Sequence, residues 1–452
     1  MRKLSLLAAA SVAAPALAAQ APTAHLINAP SATSSPVLGM AAAVRELPGG
    51  RVLVNDIVKR QLLIFDATLR NAAVVADSTT GGATSYGPGP GGIIPYAGDS
   101  TLFIDPRDLS MFVIDPNGAI ARVAAVPRSQ DAGSIGSNIG ASPAFDSKGR
   151  IVYRAGSAGM RIGNLAAVRT MVAGGDGSAK GMPPMPDIPD SMAIVRVDMA
   201  TRKVDTAGYY KIPKTKMNMQ QSERGFSMIS ETNPLPTVDD WAVTSDGIIA
   251  VVRGQDYHVD WIDADGHVMS TAKIPFDWQR LSDDDKVAVI DSAKAAAEQL
   301  RAKIAANPGG GQVVTDGAGG AGGGVRIMSF QMSGDAAGGG RGAGGAPAGL
   351  GLGSQVFVSP SELPDYRPAF GQGAVKADLD GNLWIRTSAV RAGVVGGPIY
   401  DVVNGKGELV DRVQLQAGRQ IVGFGRGGVV YLQARDEKGA WLEKTKREGP
   451  RT

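Results

Sequence analysis

Apolar and polar positions alternate along this chain in short runs, and the runs come in pairs. "GGRVLVND" (49–56) leads to "QLLIFDA" (61–67), and "GDSTLFID" (98–105) to "SMFVIDPNG" (110–118). "FDSKGRIVYR" (145–154) leads, after a long interruption, to "SMAIVRVDMAT" (191–201), and "TSDGIIAVVR" (244–253) to "YHVDWIDADG" (257–266). "ADLDGNLWIR" (377–386) leads to "PIYDVVNGKG" (398–407), and "FGRGGVVYLQ" (424–433) to "AWLEKTK" (440–446). A period of two in Val, Ile, Leu and aromatics, bounded by Gly, Asp, Asn and Pro, predicts strands joined by tight turns. The Asp-x-x-Gly form has a plain cause: aspartate bonds its own backbone two residues on, and glycine takes the positive φ that closes a hairpin. "WIDADG" (261–266) also looks like the start of a calcium loop. The further loop ligands and the terminal Glu are missing, so a hairpin turn is expected there, with calcium as the alternative.

The first-turn positions Gly50, Asp99, Gly149, Gly247, Gly381 and Gly428 are 49, 50, 98, 134 and 47 residues apart. Four strands with their turns occupy about 40–50 residues, the period of a propeller blade. The two long gaps then hold one blade plus an insertion. The expected fold is all-β, a six-bladed β-propeller. The last unit lacks an outer strand, and "TAHLINAP" (23–30) can supply it beside 440–446, closing the ring and removing exposed edges.

By the turn glycine, the apolar strand and the endings "IFD", "VID" and "VVN", the chain resembles the six-bladed propellers of the NHL-repeat, TolB-like and gluconolactonase-like group. That resemblance implies an innermost first strand in each blade, called a here, with b, c and d following outward. It also places the a–b turns at one end of the ring and the b–c and d–a connections at the other. The insertions 155–190, 213–240 and 279–370 would all crowd this second end, where loops on a rigid scaffold carry binding. Within the last insertion, Ser282 is an expected N-cap, followed by Asp283, Asp284 and Asp285 at the positive helix end. Val289, Ala293, Ala296, Leu300 and Ile304 form one stripe, and Asn307, Pro308 and Gly309 end the helix. The Gly-rich stretch 308–354 is expected to be the least ordered part of the chain. The apolar "VRIMSFQM" (325–332) could dock within it.

Composition narrows the function. "MRKLSLLAAASVAAPALAAQ" has the cationic start, short apolar run and A-x-A spacing of a secretory signal cleaved after Ala18 or Ala19. Residues 20–452 then form a single domain, periplasmic or secreted, with no transmembrane segment and an expected monomeric state. A retained N-terminal anchor is the alternative. Taking Arg2 and Lys3 from the 46 basic residues leaves 44 against 43 acidic, so nucleic acid is not an expected partner. The chain has no cysteine and only His25, His258 and His267, which argues against a transition-metal site.

The residues ending strand b are Asn55, Asp105, Arg154, Arg253, Arg386 and Gln433, the candidate ligand-binding set. Arginines on several blades could fork to a carboxylate or phosphate, with Asp56 and Asp105 opposite. The bland alternative is that they pair with local carboxylates and seal a polar channel. Arg253 sits one residue further from its turn glycine than Arg154 and Arg386, which makes it the weakest member. Gluconolactonase-like enzymes hold a divalent cation with Glu, Asn and Asp. Only Asn55 and Asp105 match, Glu46 lies nearer the a–b turn, and no catalytic residue is carried over. No GxSxG elbow occurs, and the His and calcium ligands of quinone-dependent sugar dehydrogenases cannot be placed. The expectation is a binding module for an unknown protein or small anionic ligand, with no cofactor. A hydrolase or lactonase-like enzyme acting on an anionic or lactone substrate is the alternative.

Overall fold

The computed structural model describes residues 22–448 apart from 137–140, 157–188, 307–355, 389–395 and several breaks of one or two residues. Six antiparallel sheets of four strands follow one another along the chain. Blade 1 spans 41–77, blade 2 92–125, blade 3 144–211, blade 4 240–270, blade 5 370–414 and blade 6 419–446. The first strands of blades 6, 1, 2 and 3 lie side by side, as do those of blades 4 and 5, so strand a is innermost. With every sheet in the order a-b-c-d, the b–c and d–a connections share one end of the ring.

The core is divided among the gaps between blades. Each of the six gaps holds one apolar cluster fed by alternate residues of the two facing sheets. Between blades 1 and 2, for example, Leu53 and Leu62 meet Phe103, Phe112 and Tyr86. The Tyr86–Phe103 and Phe103–Phe112 ring centroids are 4.8 and 5.3 Å apart. Full burial of each such side chain is worth roughly 1.5–3 kcal/mol. Strand alternation therefore has a consequence for function: each strand-b residue points into either the preceding or the following gap.

Closure is of the expected kind but in a different register. Ala32–Thr33, not 23–30, forms the outer strand of blade 6, pairing antiparallel with Lys444 and Glu443. His25–Leu26 instead adds a fifth, parallel strand to blade 5 against Val413 and Gln414. The crossing between blades falls at Asn28–Pro30, where Pro30 has no N–H to give a ladder. Asn28 bridges the step: its amide donates to Lys446 O at 2.9 Å, and its own carbonyl accepts from the Thr445 hydroxyl at 2.8 Å.

The helix runs Asp283–Ala306 and Ser282 caps it, accepting from Asp285 N while Asp285 Oδ2 accepts from Ser282 N at 2.9 Å. Its buried face is Lys286, Val289, Ile290, Ala293, Ala297 and Leu300, so Ala297 takes the place expected of the exposed Ala296. At 100° per residue the stripe drifts by one position over three turns. Leu235, Leu281, Val358 and Leu363 complete the helix's own small core. The hairpin Lys216–Ser222 and Gly225–Thr232 was not anticipated, and Val356–Phe357 extends it in parallel. The Gly-rich stretch 308–354 lies wholly outside the described residues, as do the leader 1–19 and the apolar segment 325–332.

"WIDADG" is a hairpin turn. Asp263 Oδ1 accepts from the amides of Asp265 at 2.8 Å and His267 at 2.9 Å, and Gly266 takes φ 93°. Asp66 closes the equivalent turn of blade 1 through Thr68, Arg70 and Asn71. Hydrogen bonds from the Thr68 and Asn71 side chains lower the Asp66 pKa to about 2, and the His267 side chain does the same for Asp263. Carboxyl carbons titrated by NMR should show both protonating at about 2, against an ordinary value of roughly 3.9. These are depressed pKa values, so the turns' contribution is complete above about pH 4 and fades as pH falls through 2. Titration of either near 4 would remove the turn hydrogen bonds from the account.

Candidate functional site

The six strand-b residues do not converge on a single centre, because alternation sends them into four different gaps. Asn55 follows Leu53 toward blade 2, and Asp105 follows Phe103 toward blade 1, so both enter the gap between those blades. Asn55 is fully buried; it donates to Gly91 O at 2.8 Å and accepts from the Tyr86 hydroxyl at 2.9 Å. Asp105 accepts from the amides of Gly87, Arg107 and Asp108 at 2.8, 2.9 and 3.2 Å. Both side chains fasten the connection between blades 1 and 2. Gln433 faces the gap between blades 6 and 1, where it accepts from Ala41 N at 2.5 Å. Asp56 likewise holds four amides, those of Gly39, Met40, Val58 and Lys59.

Arg154 shares its face with Val152, which packs toward blade 4. Arg253 shares its face with Ile249 and Val251, which pack back toward blade 3. The extra residue after Gly247 thus reverses the Arg253 side chain, and the two arginines enter one gap from opposite walls. There Arg253 is held on three sides: Asp260 Oδ2 at 2.7 Å, Asp239 Oδ2 at 2.8 Å and Tyr209 O at 2.9 Å. Burial alone would lower the Arg253 pKa, but the bonds to Asp260 and Asp239 keep it above its ordinary value. Arg154 lies beside Tyr210, whose hydroxyl pKa is raised by burial. Arg386 follows Trp384 into the gap between blades 5 and 6. Among the described residues neither Arg154 nor Arg386 has a carboxylate within ion-pair distance, and both are half-buried.

The histidines each meet a carboxylate: His25 meets Asp411, His258 meets Asp256 and Asp260, and His267 meets Asp263. At His258 the order is unlike a hydrolytic triad. Asp260 stands between Ser270 and His258, where a triad needs the histidine between serine and carboxylate. Glu46 accepts from the Tyr431 hydroxyl at 2.6 Å, on strand a near its turn with b. Among the described residues no group of three or more His, Asp or Glu is placed to hold a metal ion. No described helix is long and apolar enough to cross a membrane.

The sheets and gaps define a six-bladed β-propeller, and the comparisons with known proteins stop at that level. No family model matches the chain, and no curated protein matches it. A gluconolactonase from Xanthomonas campestris is similar over 91% of this chain and 87% of its own, with 9% identity and a TM-score of 0.38. An exported protein of Bacteroides fragilis, so described by its name, aligns over 92% of both chains at 8% identity and a TM-score of 0.39. A virginiamycin B lyase from Staphylococcus aureus aligns over 91% of this chain and 97% of its own at 9% identity and a TM-score of 0.33. At those values no activity transfers from any of the three.

Proposed function

We propose that this chain is an exported binding module that takes anionic groups at the insertion-bearing end, with Arg154 and Arg386, each in its own gap between blades, as separate charged contacts. The observation that supports this reading is the pair of half-buried guanidinium groups with no ion-pair partner among the described residues. Partly buried charges are ordinarily paired, as Arg253 is, so an unpaired one is available to a ligand. Arg253 then shapes the wall of its gap and leaves the ligand to the other two. A lactonase-like reading is weaker. Its two matching side chains, Asn55 and Asp105, already spend their polar atoms on the backbone and on Tyr86.

Citrate or phosphate should stabilise the purified mature chain, by about 2.7 kcal/mol at a hundredfold excess over Kd. Arg386→Ala and Arg154→Ala should each remove part of that gain and the double variant most of it, whereas Gln433→Ala should keep it while lowering the starting stability. An anion effect of equal size in all the variants would make it non-specific and end the assignment.

A further inference from the structure

A second exposed surface lies on the connection between blades 4 and 5. Arg280 and Tyr366 form an isolated antiparallel bridge, with Leu281 N donating to Asp365 O at 2.8 Å and Arg367 N to Gln279 O at 2.9 Å. Those two bonds flank the pair, so Arg280 and Tyr366 are directly opposed without bonding each other. In that arrangement the Cα atoms stand about 4.5 Å apart and the side chains share one face. The opposite face is turned inward. Leu281 is 5% exposed in the helix core, and the buried Arg367 donates to Gln279 Oε1 at 3.2 Å.

Trp278 lies two residues before Arg280 in the chain. Its ring meets Phe276 edge-on at 5.3 Å and 78°, and Phe276 meets Tyr257 edge-on at 5.5 Å and 82°. Tyr257 is fully buried and also packs on Phe370 of blade 5. A ladder of rings therefore runs from the core to the surface and fixes the Trp278 plane from beneath. Trp278 is nonetheless 37% exposed and Tyr366 50% exposed.

Arg280 is exposed on the same face and makes no ion pair among the described residues. Asp365 is paired with Lys286 at 2.8 Å, and Arg280 adds its charge to the lowering of that carboxyl's pKa without closing an ion pair. The chain neighbours of the two aromatic residues, Asp277, Gln279 and Asp365, are exposed and polar, so the patch is not a continuous apolar area suited to another protein core. Two exposed aromatic rings, the Trp278 ring supported from beneath, suit the C–H face of a pyranose, which is apolar across the ring and hydroxylated at its rim. The planar guanidinium of Arg280, directly opposite Tyr366, suits a carboxylate, to which it can donate two parallel hydrogen bonds.

We propose that Trp278, Arg280 and Tyr366 form a binding surface for a carboxylate-bearing pyranose, a uronate unit. The surface shares no residue with the Arg154 and Arg386 contacts, so either proposal can fail alone. Calorimetric titration of the mature chain with trigalacturonate should give saturable binding, and maltotriose, its neutral counterpart in size, should bind at least tenfold more weakly. Trp278→Ala and Arg280→Ala should each lose at least tenfold in affinity. Both positions are exposed, so unchanged unfolding midpoints would show that the fold is intact. Arg386→Ala should bind the trimer as the parent does. Galacturonate alone binding as well as the trimer assigns a one-ring site, and a trimer advantage assigns a polymer-binding surface. Equal affinity for maltotriose, no heat at millimolar trimer, or full affinity in Arg280→Ala would each overturn the proposal.

Discussion

Asp401→Ala is expected to cost about 3–5 kcal/mol in denaturant unfolding, among the largest effects of any single substitution in the ring. Asp401 lies fully buried on strand c of blade 5 and serves two partners. Arg412 Nε donates to Oδ1 at 2.7 Å, and the Tyr257 hydroxyl of blade 4 donates to Oδ2 at 2.9 Å. Truncation leaves a guanidinium that is 19% exposed and a phenol that is fully buried, both without their acceptor. It also cuts the polar link across the gap between blades 4 and 5. Burial raises the Asp401 pKa even with Arg412 beside it. A raised carboxyl pKa means that stability is greatest below the ordinary value of roughly 4 and declines as pH rises through the folded pKa. Asp401→Asn, which mimics the protonated form, should cost less than the alanine and should flatten that decline. A change within 0.5 kcal/mol for Asp401→Ala, the range of neutral surface substitutions, would show that the link carries no weight.

The blades were legible because their signals are local. A turn glycine, an alternating strand and an Asx-type turn follow one another closely in the chain, as at Gly247, Ile249–Arg253 and Asp263. The helix was legible for the same reason, since Ser282 and Asp285 cap it within one turn. The hairpin strands 216–222 and 225–232 also left a signal, the alternation in "KMNMQ" and "FSMIS", and only the absence of a blade partner hid it. The candidate site was less legible. Its strand-b positions could be listed from spacing, but the partner that decides each role is remote in sequence. Asn55 finds Gly91, Gln433 finds Ala41, and Arg253 finds Asp239 only once the blades are packed. The one-residue offset at Arg253 was visible; that it would aim the side chain at Arg154's gap needed the neighbouring blade. Trp278 and Tyr366 are 88 residues apart and left no joint pattern at all.

A chain that lacks residues 1–38 is expected not to fold. The segment 25–38 spans two blades and turns the open edge of the last sheet into a paired one. Ile27 is 4% exposed in the gap between blades 5 and 6, and Leu38 is 3% exposed in the gap between blades 6 and 1. Each contributes roughly 1.5–3 kcal/mol by burial. Backbone bonds add to this: Ile27 N to Gln414 O, Ser31 N to Lys444 O, Ser34 N to Leu442 O and the reciprocal pair between Leu38 and Ala440, at 2.8–3.3 Å. Each is worth about 1 kcal/mol net, and Ser34 Oγ further accepts from Leu442 N at 3.0 Å. Together these approach the roughly 5–15 kcal/mol by which a whole domain is stable, so the shortened chain has little left to hold the ring. Its last sheet would also present strand 439–446 as a bare edge, a template for aggregation. Leu38→Ala separates the two contributions: it removes only the packing, should cost about 2–5 kcal/mol, and should still fold. A peptide of residues 22–38 added in excess should restore soluble, cooperatively unfolding protein from the shortened chain. Cooperative unfolding of the shortened chain without peptide, at a midpoint matching the parent, would place the closure of the ring elsewhere.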